Sequence, residues 1–513
     1  MHIVDDANNN NNNNNKIRKK RIKTIHSTSD ISASNDQELL GNITAPNEIT
    51  ETNLNFIAPN CLRGSVSENV LSNFVKQWVK NGFHFHKAFI GGIHQNYLLR
   101  SGIPAPYEKV PKLFSYDQAT VDDIKQRNPS LQNDFIVPAP GRPVMAIGFT
   151  LLGPSKLIPF DKYNRTYTVL EMNPFFIGRP DTSVYTYVSD NKKDTASAIV
   201  GGMIESFAFT GTSNSNQRLN VTENNGILTD VSMPDEVFTV SHATAAGGWA
   251  AADEISSQLG PVGPIANDLF GLDSNYFSTS TPPDQRIAES GQLFAMGDAG
   301  ITENIHLISL LRRTDLKGFI LVTNTDVPMS GINKWDPTKR APTTNEMDDT
   351  IPNYFGIKVD KPDASWDYSR NQVFDSSQFV PFCVAMQKAI ANGNGGVVLM
   401  ELNVVENKYW GIQGGRSVNV TWYMTSRVYN WEAQLPSWLK SDVVPGGPQD
   451  PTNLPSTKSK YPTFPHYPTF DLQLNDAQSN LLANLMGWVV LKNQDLFCTA
   501  LGIAGGCPGI WKT

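Results

Sequence analysis

A sharp turn, a short helical pattern and an apolar strand follow one another between residues 294 and 327, and this order constrains the fold most. Asp298 lies in the turn Gly-Asp-Ala-Gly, whose small residues let the backbone bend. The run 305–313 has helical spacing and ends on two arginines, which suit the negative end of a helix dipole. Residues 318–325 predict a strand buried on both faces of a parallel sheet. Together these parts predict an α/β unit with a carboxylate at its entrance.

Asp298 has two interpretations on this pattern alone. An aspartate before a helix commonly serves only as a turn residue and N-cap. A carboxylate at the entrance of an α/β unit can also serve as a catalytic base. Spacing by itself favours the structural role, so the choice depends on the rest of the chain.

The composition is that of a globular protein with one large domain. The chain has 513 residues, of which 40% are hydrophobic and 10% aromatic, so it can bury a sizeable core. A net charge of -7 argues against a nucleic-acid partner. No apolar run approaches the roughly 18 residues that a transmembrane helix needs.

The N-terminal segment differs in composition from the remainder. A polyasparagine run at 8–15 and a basic octamer at 16–23 lead into polar sequence, so we expect residues 1–52 to be disordered and residues 53–513 to form the folded domain. The first residues lack the apolar core of a signal peptide, which favours a cytoplasmic or membrane-peripheral protein. Four glycosylation sequons leave secretion open: Asn42, Asn164, Asn220 and Asn419.

Histidines and cysteines offer little support for a metal site. In the segment HFHKAFIGGIH, read as a strand, His84 and His86 would share one face, and His94 follows. No clustered carboxylate or cysteine completes this set, so we expect no metal and no cofactor. Cys498 and Cys507 are close enough in sequence to form a disulfide, although two buried free thiols fit equally well.

Hydrophobic periodicity predicts several further elements. Helices are expected at 68–82, 120–128 and 475–492, a buried strand at 145–152, two antiparallel strands at 395–406 and 416–424, and a long loop at 443–469.

Several stretches, in this order, resemble one family: the catalytic domain of cytosolic phospholipase A2 and the phospholipase B/lysophospholipases. The family's E-F-x-P-F-E-x-G-S-x-D-P-T segment is similar to Glu171-Met-Asn-Pro-Phe-Phe-Ile-Gly-Arg-Pro-Asp181-Thr182, and its G-T-S-S stretch to GTSNSN at 211–216. The family motif D-G-G-x-x-x-N-I-P-L resembles Asp298-Ala-Gly-Ile-Thr-Glu-Asn-Ile-His306-Leu, and the expected strand follows it. The C-terminal helix is also similar.

This resemblance implies a fold and a mechanism. The fold would be α/β, with a mixed central sheet and flanking helices, of the patatin and cytosolic-phospholipase type. In the family an aspartate activates a serine nucleophile directly, which makes Asp298 the base of a Ser-Asp dyad. The neighbouring binding positions would be Gly297, Ala299, Gly300 and Asn304. The implied partner is a phospholipid or lysophospholipid substrate at a membrane surface.

The chain departs from the family at the nucleophile. It contains no G-x-S-x-G elbow and no triple-glycine oxyanion loop ahead of a candidate serine. The nearest substitute is Ser213, which aligns better with the non-catalytic G-T-S-S stretch. The missing elbow predicts that these residues form only the C-terminal portion of such a domain. Ala299 and His306 replace a glycine and a proline of the motif, and a histidine at this point of a helix is more often a plain surface residue.

Three functions remain compatible with the sequence. The first is lipid acyl-ester hydrolysis, with Asp298 as base. The second is a catalytically dead, phospholipase-like module that binds lipid or protein, which the missing elbow favours. The third is a generic α/β hydrolase that uses Ser213 or Ser241 with a histidine. Ser241 precedes His242, but sequence neighbours rarely face each other productively.

Overall fold

The computed structural model describes most of the chain between residues 44 and 503. The described residues are 44–56, 66–80, 82, 84–99, 102–107, 111–138, 143–157, 166–189, 191–211, 217–223, 226–234, 236–248, 272–276, 293–359, 368–444, 459–461, 463–467 and 474–503. Residues 1–43 of the segment predicted to be disordered lie outside these ranges, as does residue 213.

Strands and helices alternate irregularly along the described chain. The strands are β1 (Leu113–Phe114), β2 (Phe135–Ile136), β3 (Ile147–Pro154), β4 (Thr168–Met172), β5 (Phe176–Val188), β6 (Thr195–Glu205), β7 (Arg218–Thr222), β8 (Leu228–Ser232), β9 (Leu272–Asn275), β10 (Leu293–Gly297), β11 (Gly318–Thr323), β12 (Gly396–Val404) and β13 (Arg416–Met424). The α-helices are α1 (Glu51–Leu54), α2 (Val66–Lys80), α3 (Phe85–Ile93), α4 (Gln118–Arg127), α5 (Val240–Gly247), α6 (Leu307–Leu311), α7 (Thr350–Tyr354), α8 (Phe379–Ala391), α9 (Tyr429–Glu432), α10 (Ser437–Val443), α11 (Asp476–Lys492) and α12 (Gln494–Ala500).

The larger sheet has six strands in the order β6-β5-β4-β3-β10-β9, and each neighbouring pair is antiparallel. The long β5–β6 hairpin shows why these residues form strands, because Thr, Val and Tyr alternate and Tyr185 and Tyr187 point to the buried face. The protein is thus a mixed α and β protein. The prediction of a mixed central sheet is wrong for this sheet, since mixed pairing occurs in the smaller sheet instead.

The smaller sheet has the order β11-β13-β12, with β11 parallel and β12 antiparallel to β13. The predicted antiparallel pairing of 395–406 with 416–424 is therefore confirmed. The strand at 318–325 was expected to be buried on both faces, which is wrong. Val322 is 41% exposed because β11 lies at the edge of this sheet.

The smaller sheet separates two hydrophobic cores. Its side chains alternate between them, so that Val398 and Trp422 pack into the larger core while Val397 and Tyr423 pack into the smaller one. The larger core extends to the six-stranded sheet. The smaller core contains one face of α11, whose start at Asp476 is fixed by a capping box between Asn475 and Gln478.

Residues 44–52 are folded, which corrects the predicted boundary at residue 52. Ile49 and Leu54 are buried in the smaller core. The side-chain amide of Asn484 on α11 donates to the carbonyl of Thr44 at 2.8 Å, and Asn480 donates to that of Leu54 at 2.8 Å. Packing against a distant helix orders a polar segment that has no strong local pattern of its own.

Candidate functional site

Asp298 begins a tight turn directly after β10. Its carboxylate accepts a hydrogen bond from the Gly300 N–H at 2.6 Å, which makes Asp298 the N-cap of the 3-10 turn Ala299–Ile301. The Thr150 hydroxyl of β3 donates to the Asp298 carbonyl at 2.9 Å and lies 3.1 Å from the Thr302 hydroxyl. Asp298 itself is half-buried. The turn therefore holds a partly accessible carboxylate on a rigid strand end.

Gly300 allows Asp298 and Asn304 to approach each other across this turn. A Cβ at position 300 would lie 2.6 Å from Oδ1 of Asn304 and 3.0 Å from Oδ1 of Asp298. Gly297 is buried, and a Cβ at this position would lie 3.0 Å from the Leu152 side chain. Ala299 is half-buried. Of the four predicted binding positions, Gly300 thus contacts the Asp298 carboxylate through its N–H, and the Asn304 side chain lies beside Gly300.

The fully buried Glu303 fixes the chain that follows the Ala299–Ile301 turn. Its carboxylate accepts from the backbone N–H of Ile308 at 2.8 Å and from the Tyr354 hydroxyl at 3.2 Å. Burial raises the pKa of Glu303, against the opposing effect of His306. Asn371 also donates to the Thr302 carbonyl at 2.7 Å. These contacts limit the freedom of the chain on either side of Asp298.

His306 is a buried residue in the left-handed conformation, with φ of 57° and 6% exposure. The expectation of a surface residue on a helix is therefore wrong. Its ring packs over Gly148 of β3, where any Cβ would lie 2.1 Å from Nδ1. The helix predicted from residue 305 begins at Leu307 and covers only one turn.

Glu171 joins His306 to Arg313 in a buried charge cluster. Arg313 donates to both carboxylate oxygens of Glu171, and Nε2 of His306 lies 3.8 Å from Oε2. Burial alone would raise the pKa of Glu171, but His306 and Arg313 outweigh it and hold that pKa well below its usual range. Arg313 was expected to act on the helix dipole; its principal contact is instead this carboxylate, 142 residues away in sequence.

Helix α5 packs against β3 and against the turn Ala299–Ile301. It carries Ser241, whose Oγ is fully buried and has no hydrogen-bond partner among the residues that the structure describes. Nδ1 of His242 accepts from the Thr239 N–H at 3.1 Å, and its Nε2 lies 3.4 Å from Glu236. The imidazole is thus engaged by residues other than Ser241. That these sequence neighbours do not form a nucleophile–base pair stays a prediction, with which the contacts of His242 agree.

The other candidate nucleophile, Ser213, lies within residues 212–216, outside the described part of the chain. Its neighbour Gly211 is buried, and a Cβ there would lie 2.4 Å from the Ser232 carbonyl oxygen. The backbone at Gly211 is consequently packed against β8.

The histidine-rich segment forms a helix rather than the expected strand. His84 precedes α3 as its N-cap, His86 lies within it, and His94 follows in a buried π turn, where Nε2 lies 2.8 Å from the Ile103 carbonyl oxygen. The two first histidines therefore do not share a strand face. Within the ranges given above, no group of three or more His, Cys, Asp or Glu side chains is placed to hold a metal ion.

The cysteines differ in state. Cys498 is disulfide-bonded, so it is not the free thiol that the sequence left as an alternative. Cys383 is a free, buried cysteine, and burial raises the pKa of its thiol. Its burial in the larger core indicates a packing role.

Comparison with protein-family models, with curated proteins and with solved structures found no match to this chain. In the described residues, none of the helices has the length and apolar character needed to cross a bilayer. Function must accordingly be argued from the Asp298 turn and its surroundings.

Proposed function

We propose that this protein is a lipid acyl-ester hydrolase of the phospholipase A2/B or lysophospholipase type, with Asp298 as the catalytic base. The observation that carries the proposal is the half-buried Asp298 carboxylate at the end of β10, which accepts the Gly300 N–H, while the Thr150 hydroxyl donates to the Asp298 backbone carbonyl. The motif around it, from Asp298 to Leu307, supports a Ser-Asp dyad through its family resemblance. A patatin-like arrangement of the whole domain belongs to the same proposal.

The chemistry needs one proton acceptor in a fixed position. As the serine Oγ attacks the ester carbonyl carbon, Asp298 takes the hydroxyl proton, and a tetrahedral oxyanion forms. Its collapse breaks the ester C–O bond, and the departing alcohol, a lysophospholipid or glycerophosphate head, takes the proton back. Water then attacks the acyl-enzyme in the same way and releases the fatty acid. Asp298 thus returns to its carboxylate form after each half-reaction.

The alternative is a binding module without chemistry. It is favoured by Ser241, the serine on the helix that packs against the Asp298 turn, because its Oγ is fully buried and unreachable for an ester. The two functions make opposite predictions about a covalent serine probe.

The deciding experiment is to treat the purified full chain with a fluorophosphonate and to map the labelled peptide by mass spectrometry. Heat-denatured chain serves as the control for nonspecific reaction. Labelling of one serine in the folded chain, with release of fatty acid from lysophosphatidylcholine, supports the hydrolase. A folded chain that is neither labelled nor active contradicts the hydrolase and supports the binding module.

A Gly300→Ala variant tests the geometry of the turn. The new methyl group would press on the flexible ends of Asn304 and Asp298, so the fold is retained while the carboxylate is displaced. We expect an unchanged melting temperature and a fall in turnover of about 10²-fold, the usual effect of misplacing a catalytic group. Adding Asn304→Ala removes the closer contact and is expected to restore part of the rate. An active single variant would contradict the role of this turn.

A further inference from the structure

A second cluster of charges lies around Asp181. The guanidinium group of Arg179 donates to the Asp181 carboxylate, and Nε of Arg312 lies 3.7 Å from its other oxygen. The side chains of Arg179 and Arg312 are 0% and 2% exposed. Among the described residues, two buried guanidinium groups therefore share the Asp181 carboxylate, so that two positive charges face one negative charge. Glu171, the other acidic side chain acting on Arg312, is already paired with Arg313.

The two arginines also retain unused hydrogen-bond donors. Arg179 donates through Nη1 to Thr168 and Tyr185, and Arg312 donates through Nε to the Trp410 carbonyl at 2.6 Å. However, Nε of Arg179 and Nη2 of Arg312 are buried and have no hydrogen-bond partner within the described ranges. Burial first, and then the charge of Arg179, lower the pKa of Arg312 to about 10. Unpaired buried donors on an uncompensated charge are unfavourable, so the site is suited to an additional acceptor.

Asp181 is the accessible member of this cluster, with a side chain 33% exposed. It lies where the pairing of β5 with β6 is irregular, between Arg179 and Ser183, so that its movement breaks no regular ladder pair. Its carboxylate rests against Gly411, where a Cβ would lie 2.6 Å away. Asp181 is thus the partly exposed member of the cluster and the group that an incoming ligand would displace.

We propose that Arg179 and Arg312 form an anion-binding site for a phosphate group, which Asp181 closes when no ligand is bound. Guanidinium groups match phosphate oxygens through paired N–H donors. A phosphate monoester carries about 1.5 to 2 negative charges near neutral pH, whereas the carboxylate supplies one. Phosphate therefore balances the two arginines better than Asp181 does. This site does not depend on the hydrolase proposed above.

The test is a calorimetric titration of the full chain with inorganic phosphate at constant ionic strength. Asp181→Asn removes the competing charge, and we expect it to bind phosphate about tenfold tighter than wild type. Arg312→Gln leaves the single ion pair between Arg179 and Asp181, whose charges balance, so we expect this variant not to bind phosphate. Glycerol 3-phosphate and a short-chain phosphatidic acid, used as monomers, are titrated in parallel. Tighter binding of these two than of phosphate assigns a lipid headgroup, and equal or weaker binding assigns free phosphate.

Two glycine variants provide a matched comparison in case Asp181→Asn does not fold. The new methyl group of Gly411→Ala would displace the Asp181 carboxylate from its present position, whereas that of Gly415→Ala meets no atom within 4 Å. The two glycines have similar φ values, +71° and +78°. We expect only Gly411→Ala to tighten phosphate binding. Equal phosphate affinity in wild type, Gly411→Ala and Gly415→Ala, or retained binding in Arg312→Gln, would overturn the proposal.

Discussion

Replacing Asp298 with Asn is expected to lower the hydrolysis of lysophosphatidylcholine by about 10³-fold, the usual contribution of a general base. An asparagine side chain still accepts the Gly300 N–H, so the turn remains folded, but it cannot take the serine proton. The same change should abolish labelling by a fluorophosphonate. Turnover and labelling are measured on protein whose melting temperature matches that of wild type.

Asp375 is a matched control for this substitution. It is also the N-cap of a 3-10 turn, Ser376–Gln378, and its carboxylate accepts from the Ser377 N–H at 2.9 Å. Asp375→Asn therefore reproduces the local change without touching the candidate site, and wild-type turnover is expected. If Asp298→Asn and Asp375→Asn had the same turnover as wild type, Asp298 would be only a cap.

Replacing Arg313 with Met is expected to lower the free energy of unfolding by about 3 kcal/mol, as is typical when one partner of a buried ion pair is removed. The variant leaves the Glu171 carboxylate buried, with the Asn173 amide at 2.8 Å and the His306 ring at 3.8 Å as its remaining partners. Arg340→Met is the matched control, because Arg340 pairs bidentately with Glu346 at the surface. It should unfold close to wild type in urea.

The Arg313→Met effect should also depend on pH. The folded pKa of Glu171 lies below its unfolded value of about 4.3, so its stabilising contribution is complete above that value and is lost as the pH falls. The difference between wild type and variant should therefore shrink when urea unfolding is repeated at progressively lower pH below about 4.3. A constant difference would show that the Arg313 stem, rather than the ion pair, stabilises the fold.

The sequence correctly predicts those elements whose hydrophobic periodicity is strong. The β12–β13 hairpin and α11 follow from apolar spacing and a capping box. The segment HFHKAFIGGIH is predicted wrongly because its apolar residues fit a helix as well as a strand. Tertiary packing decides between them, since Phe85 packs 5.0 Å from Phe74 of α2.

Only part of the candidate site can be predicted from the sequence, because tertiary packing determines the rest. Asp298 and Gly300 stand out in one short motif, but the partners that fix the loop come from distant strands. Glu171 meets Arg313 across 142 residues, and Gly148 accommodates His306 only because the two meet in three dimensions. Local patterns carry no signal for such pairs. A glycine inside a predicted strand, such as Gly148, is the one clue that another group approaches closely.

The hydrogen bond from Thr150 to Asp298 joins residues 148 positions apart. Long loops must lose entropy before such contacts can form, so contacts of this separation raise the contact order and slow folding. The local β5–β6 hairpin can form without them, whereas β3 and β10 meet only after the intervening chain is in place. On refolding, the Asp298 turn would consequently reach its final position later than the β5–β6 hairpin forms.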